Sequence, residues 1–71
     1  MAEHDIEALR AKADETLALA MKARAAFAAV KAQPLTTPGR KKALIKLYRE
    51  VADTHYDMWC AQEALFDADR S

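Results

Sequence analysis

The chain has 71 residues, with 11 basic and 11 acidic side chains, no formal net charge and a single cysteine. This length allows one domain at most, and so short a chain buries only about 60% of the surface that it exposes when unfolded. The single cysteine excludes an internal disulfide, and two histidines with one cysteine make a poor set of metal ligands. We therefore expect no metal and no cofactor, and we expect association with another chain to supply the missing stability.

The first residues of the chain predict its compartment. They are acidic, and no apolar segment of the kind found in export signals follows them. No run of residues approaches the roughly 18 apolar positions that a membrane span needs. Together with the lone thiol, this predicts a protein of the reducing cytoplasm that does not enter a membrane.

The first predicted element is a helix over about residues 5–33. Alanine, the best helix former, dominates this segment, and Asp5 suits the position that caps the helix N-terminus. Its apolar side chains recur with a period nearer 3.5 than 3.6 residues, which favours a left-handed supercoil with a neighbouring helix. The predicted seam consists of Ile6, Leu9, Ala13, Leu17, Ala20, Phe27 and Val30, completed by Thr16 and Ala23.

The residues with turn chemistry lie together in the middle of the chain. Pro34 ends the first helix because proline lacks the backbone donor and restricts the residue before it. Thr37 followed by Pro38 reads as an N-cap and a proline at the first position of the next helix. The connection over residues 34–37 is then short, and a short connection makes the two helices antiparallel neighbours.

The second predicted helix, over about residues 38–68, has an apolar face that is too wide for one partner helix. His55 and Gln62 fall near the middle of that face, one heptad apart, and predict a polar layer that fixes register. The apolar residues of the face are Leu44, Leu47, Tyr48, Val51, Met58, Trp59, Leu65 and Phe66.

These elements predict an all-α fold, a single antiparallel two-helix hairpin formed by residues 1–71. Because the hairpin cannot cover its own wide face, we expect two copies to form a homodimeric four-helix bundle. In size and layout the predicted hairpin resembles that of the plasmid protein Rop, and this likeness of architecture implies a dimer. The residues predicted at a dimer or partner interface are Leu44, Tyr48, Val51, His55, Met58, Trp59, Gln62, Leu65, Phe66 and Phe27.

Charge is strongly separated along the chain. The segment from Thr16 to Arg49 carries eight cations and no acid, whereas all 11 acids lie in residues 1–15 and 50–71. Cations in the first turn of a helix oppose its dipole, each at about 0.3–1 kcal/mol before screening. This predicts an acidic ligand at the loop: a nucleic acid, an acidic groove of a protein, or the acidic termini of an antiparallel second copy. The predicted binding residues are Arg40, Lys41, Lys42, Lys46 and Arg49.

The function that these features favour is a small non-enzymatic interaction module, a regulator, inhibitor or adaptor of bacterial or phage type. It would bind a larger protein as a hairpin dimer. One alternative is a nucleic-acid-binding modulator that uses the basic loop end beside Tyr48, and another is a small secretion-type chaperone. Catalysis is not expected, because a hairpin supplies no concave pocket to raise the pKa of a carboxyl group. Cys60 and His55 also lie on opposite sides of their helix, which excludes a nucleophile–base pair between them.

Overall fold

Two long helices make up the computed structural model, which describes the backbone of residues 3–70 and the side chains of residues 6–70. Helix α1 runs from Glu3–Lys31 and helix α2 from Arg40–Arg70, and the two pack against each other as a hairpin. No strand occurs in residues 3–70. The predicted all-α hairpin is therefore confirmed. Helix α1 begins before Asp5, the predicted cap, whose side chain lies outside the described residues.

The hairpin is a narrow rod of 54 × 13 × 12 Å. Its radius of gyration is 16.1 Å, compared with about 11 Å for a compact domain of this length. Its accessible surface is 5703 Å², whereas a compact monomer of this mass exposes about 4,400 Å². Neither helix has an apolar stretch sufficient to cross a bilayer, judged over residues 3–70.

The contact between the helices is a seam of small residues at heptad spacing. In each helix the seam positions are separated alternately by three and four residues, the period of a left-handed coiled coil. No described side chain larger than threonine is buried, and the longer seam residues of α2 are only half-buried. The buried residues are Ala13, Thr16, Ala20 and Ala23 of α1 and Ala61 and Ala68 of α2.

Two threonines occupy the seam without leaving unpaired hydroxyl groups. The Thr16 hydroxyl donates to the Lys12 carbonyl at 2.9 Å, and the Thr54 hydroxyl donates to the Glu50 carbonyl at 2.7 Å. Each polar side chain is thus satisfied inside its own helix. Leu17, which the sequence places in the seam, is instead 39% exposed. Because seam positions are separated alternately by three and four residues, Thr16 follows Ala13 in the seam. Leu17, one residue further, lies outside it.

The connection between the helices is longer than predicted. It covers residues 32–39, and α2 begins at Arg40, two residues after Pro38. The reason is Gly39, whose φ of +75° lies in the left-handed region that glycine adopts without strain. Its carbonyl accepts the amide of Ala43 at 2.9 Å, so Gly39, not Thr37, is the N-cap.

We predict that Gly39→Ala lowers the free energy of unfolding by about 1–2 kcal/mol, because an L side chain is strained at this φ. A Cβ atom at position 39 would meet nothing within 4 Å, so the loss is conformational and not steric. Gly39→Asn is the matched control, since asparagine tolerates the left-handed region, and it should lose less. Urea unfolding at equal protein concentration measures both variants. Equal losses would contradict the conformational explanation.

Candidate interaction surface

The exposed side of α2 carries a second heptad stripe, which we call the aromatic stripe. Each of its positions follows a position of the buried seam by one residue, a rotation of about 100° around the helix. The wide apolar face predicted from the sequence is therefore two adjacent stripes, one covered by α1 and one not. The aromatic stripe consists of Ile45, Tyr48, Ala52, His55, Trp59, Gln62 and Phe66.

The large side chains of the aromatic stripe are open to solvent. Tyr48 is 66% exposed, Trp59 is 68% exposed and Phe66 is 65% exposed. Single exposed apolar residues are ordinary, whereas several on one side of a helix are typical of an interaction surface. Tryptophan and tyrosine are also the residues that contribute most often to binding hot spots.

The ten residues predicted at an interface divide between the two stripes. Only Tyr48, Trp59 and Phe66 are fully available on the aromatic stripe, where His55 and Gln62 are half-buried. Two members of this stripe, Ile45 and Ala52, were missed, although the one-residue offset of a second heptad could have revealed them. The other five, Phe27, Leu44, Val51, Met58 and Leu65, are half-buried at or beside the seam between α1 and α2.

Contacts with α1 hold one end of the aromatic stripe. The rings of Phe27 and Tyr48 lie 6.3 Å apart between centroids with planes inclined by 58°, a tilted arrangement that aromatic pairs favour. An open hollow of about 290 Å³ lies beside this pair and is lined also by Leu44 and Ile45. The end of the stripe near the loop is thereby an apolar depression with a fixed aromatic wall.

The middle of the aromatic stripe contains His55. Its Nδ1 lies 3.0 Å from the carbonyl oxygen of Val51. A carbonyl can only accept, so Nδ1 carries a proton and donates in this contact. His55 also lines an open hollow of about 280 Å³ with Ala52, Tyr56 and Trp59. The imidazole is thus oriented by its own helix and stays at the surface.

Helix α1 contributes a second row to the same side of the hairpin, which we call the charged stripe. Arg10 lines a hollow together with Gln62 and Phe66 of the aromatic stripe. On the opposite side of the hairpin Leu19 lines a hollow with Asp53 of α2. All members of the charged stripe are exposed and follow the seam by one residue: Glu7, Arg10, Asp14, Leu17, Met21, Arg24, Ala28 and Lys31.

At the loop end, Arg40 has a structural task that the sequence did not reveal. Its Nη2 donates to the Lys31 carbonyl at 2.9 Å, and its Nε donates to the Gln33 carbonyl at 3.1 Å. These carbonyls lie where α1 ends and lacks further helical donors. Arg40 therefore caps α1, and its role in binding an acidic ligand stays a prediction.

The remaining basic residues form what we call the basic tip: Lys41, Lys42, Lys46 and Arg49. All four are exposed, and no acidic residue lies in the first turn of α2 to offset them. An open hollow of about 450 Å³ beside the tip is lined by Leu35 and Ile45 as well as by Lys41 and Lys42. The loop end thus combines positive charge with a small apolar surface.

Two reactive side chains lie next to the aromatic stripe on α2. Cys60 is a free, exposed thiol, and a hydrogen bond with it raises the pKa of the exposed Tyr56 hydroxyl.

Among residues 6–70 no group of three histidine, cysteine, aspartate or glutamate side chains is arranged to hold a metal ion.

No protein-family model matches the chain, and no curated protein or solved structure is significantly similar to it. Function is therefore inferred from the surfaces of the chain itself.

We predict opposite effects for two neighbouring substitutions at the loop end. Arg40→Met removes both hydrogen bonds to the end of α1 and should lower the free energy of unfolding by about 0.5–1.5 kcal/mol. Lys41→Met, its matched control, removes a cation that opposes the α2 dipole and should raise stability by about 0.3–1 kcal/mol at low salt. Thermal unfolding followed by circular dichroism distinguishes them. A loss of the same size in both variants would show that Arg40 is not a cap.

We predict that Cys60→Ala returns the pKa of Tyr56 towards its ordinary value. The hydrogen bond with Cys60 holds the phenol in its neutral form, so its removal lets Tyr56 ionise at lower pH. Absorbance at alkaline pH in a Tyr48→Phe background reports Tyr56 alone. An unchanged titration in the Cys60→Ala variant would exclude the hydrogen bond as the cause.

Proposed function

We propose that this chain is a non-enzymatic protein–protein interaction module, a regulator, inhibitor or adaptor that associates with helices through the aromatic stripe. The observation that carries the proposal is the row of large side chains at heptad spacing on the uncovered side of α2. A row with this period matches a second helix and neither a flat surface nor a small molecule. An amphipathic helix, offered by a larger protein or by a second copy of this chain, is the partner that such a row fits.

The shape of the surface supports binding in preference to catalysis. The hollows along the rod are open, and the two that lie beside Tyr48 and beside Trp59 are lined mainly by apolar side chains. Open hollows do not exclude water from a reacting group or fix a substrate on several sides.

The exposed thiol of Cys60 is stable as a thiol in a reducing compartment, which supports a cytoplasmic location.

A second candidate function follows from the basic tip. Lys41 and Lys42 line one hollow with Ile45, and Arg49 lines the next with Ile45 and Tyr48, an arrangement that suits phosphate contacts with some stacking on a base. Two observations weigh against a nucleic acid: the chain has no net charge, and Arg40 is engaged at the end of α1. We therefore rank nucleic-acid binding below helix binding.

We predict that a photoreactive phenylalanine analogue at Tyr48 captures a second polypeptide in cells of the native host. The matched control carries the same analogue at Asp53, which is exposed on α2 but lines the opposite side of the hairpin. Mass spectrometry of the adducts identifies what was captured, whether another protein or a second copy.

Protein adducts at position 48 and none at position 53 are expected if the aromatic stripe is the binding surface. Equal capture at both positions, or none at either, would overturn the proposed function. Capture of nucleic acid alone would overturn it in favour of the second candidate.

A further inference from the structure

Resting on the proposed function, we infer a specific partner for this surface: a second copy of the chain, packed antiparallel across the aromatic and charged stripes. The two-fold axis runs perpendicular to the helices, between Leu17 and Met21 on α1 and beside His55 on α2. Each helix then packs against its own counterpart in the other copy. The loops lie at opposite ends of the resulting four-helix bundle.

The first argument is the amount of exposed surface. One hairpin exposes 5703 Å², about 1,300 Å² more than a compact monomer of its mass. A stable interface buries about 800 Å² on each partner. The excess is therefore enough for an interface of ordinary size. The two stripes contribute exposed large apolar side chains to it: Ile45, Tyr48, Trp59 and Phe66 on α2 and Leu17 and Met21 on α1.

The second argument is the order of charges along α1. When the charged stripe is laid antiparallel on a copy of itself, Glu7 meets Lys31 of the second copy, and Asp14 meets Arg24. The apolar residues Leu17 and Met21 meet at the centre. Symmetry repeats every one of these contacts, so the dimer gains each attractive pair twice. No like charges face each other at these levels of the stripe.

The third argument is that α2 gives the same centre independently. The aromatic stripe laid antiparallel on its copy with the axis beside His55 brings Ala52 level with Trp59, a small residue opposite the largest one. It also brings Ile45 level with Phe66. Leu19, the midpoint of the charged pairs, lines a hollow with Thr54, the residue before His55. The centres of both stripes thus lie at one height of the rod.

Electrostatic repulsion also disfavours the other symmetric dimer, in which both loops lie at the same end. There each α1 would face α2 of the second copy, and the basic segments of the two copies would meet. The segment from Thr16 to Arg49, with eight cations and no acid, would be opposed to itself. The antiparallel arrangement instead brings each basic tip beside the acidic termini of the second copy, and leaves the end of the tip open to a larger acidic protein.

The experiment uses charge reversal at one contact. Asp14→Arg places arginine opposite Arg24 of the second copy, and Arg24→Asp places two aspartates opposite each other. Each variant alone should raise the dissociation constant of the dimer by about 10- to 100-fold at low salt, because two like-charged contacts replace two attractive ones. An equimolar mixture of the two variants should form a heterodimer of nearly wild-type affinity. Sedimentation equilibrium measures all of these.

Glu15→Arg is the matched control, with the same change of charge one residue away, outside the charged stripe. It should leave the dissociation constant within about threefold of wild type, as exposed charges away from an interface contribute little. Circular dichroism confirms that each variant is helical. The mixture distinguishes a lost contact from a folding defect, because two variants that failed to fold would not form a heterodimer with each other.

A wild-type chain that remains monomeric at high micromolar concentration would overturn the antiparallel dimer. So would a mixture that forms no heterodimer, or an effect of Glu15→Arg equal to that of Asp14→Arg. None of these results touches capture of another protein at position 48. The inference can therefore fail while the proposed function stands.

Discussion

The close approach of two helices over alanine and threonine is the constraint on which the rest of this structure depends. Ala13, Thr16, Ala20 and Ala23 of α1 are buried in this seam, but each of these side chains buries little apolar surface. Burial stabilises by about 25 cal/mol for each Å². The hairpin thus obtains a defined geometry from its seam and only a modest part of its stability. The large side chains that would form a core in another protein remain outside.

The same seam decides what the surface looks like. Because many of the α1 residues in the seam are small, Val51 and Leu65 of α2 are only half-buried, and the large side chains Tyr48, Trp59 and Phe66 of the next stripe around the helix remain exposed. The result is a rod with two unlike sides. One carries a row of aromatic and apolar side chains beside an ordered row of charges, whereas the other includes polar residues such as Lys22, Glu50 and Asp53. It is the first side through which we propose that the hairpin associates.

The loop end shows how a charge cluster can serve two purposes. Arg40 is one of five cations that are close together in the chain, yet its guanidinium group satisfies carbonyls of Lys31 and Gln33. Its neighbours are left exposed in the first turn of α2, where they oppose the helix dipole. In the antiparallel dimer that we propose, the acidic ends of a second copy offset this arrangement.

Much of the fold was determined by the sequence itself. Alanine content, the heptad period and a single region of turn residues are local properties, and they were enough for two helices, their antiparallel pairing and the separation of charge between loop and termini. The first residue of α2 was harder to predict from the sequence. Thr37 and Pro38 are good residues for a helix start, but Gly39 is free to adopt a positive φ and can also precede the first turn. Which of these wins depends on how the chain must turn to bring α2 against α1.

The candidate site was only half determined by the sequence. Periodicity identified Tyr48, Trp59 and Phe66 but merged them with Val51 and Met58 into one wide face. One residue of offset decides which row meets α1, and that choice depends on the packing of both helices. The role of Arg40 was equally hidden, since its acceptors are backbone carbonyls, which no side-chain pattern records. Composition and period thus determined the helices and their charges, and only tertiary packing decided which side chains remain free to bind.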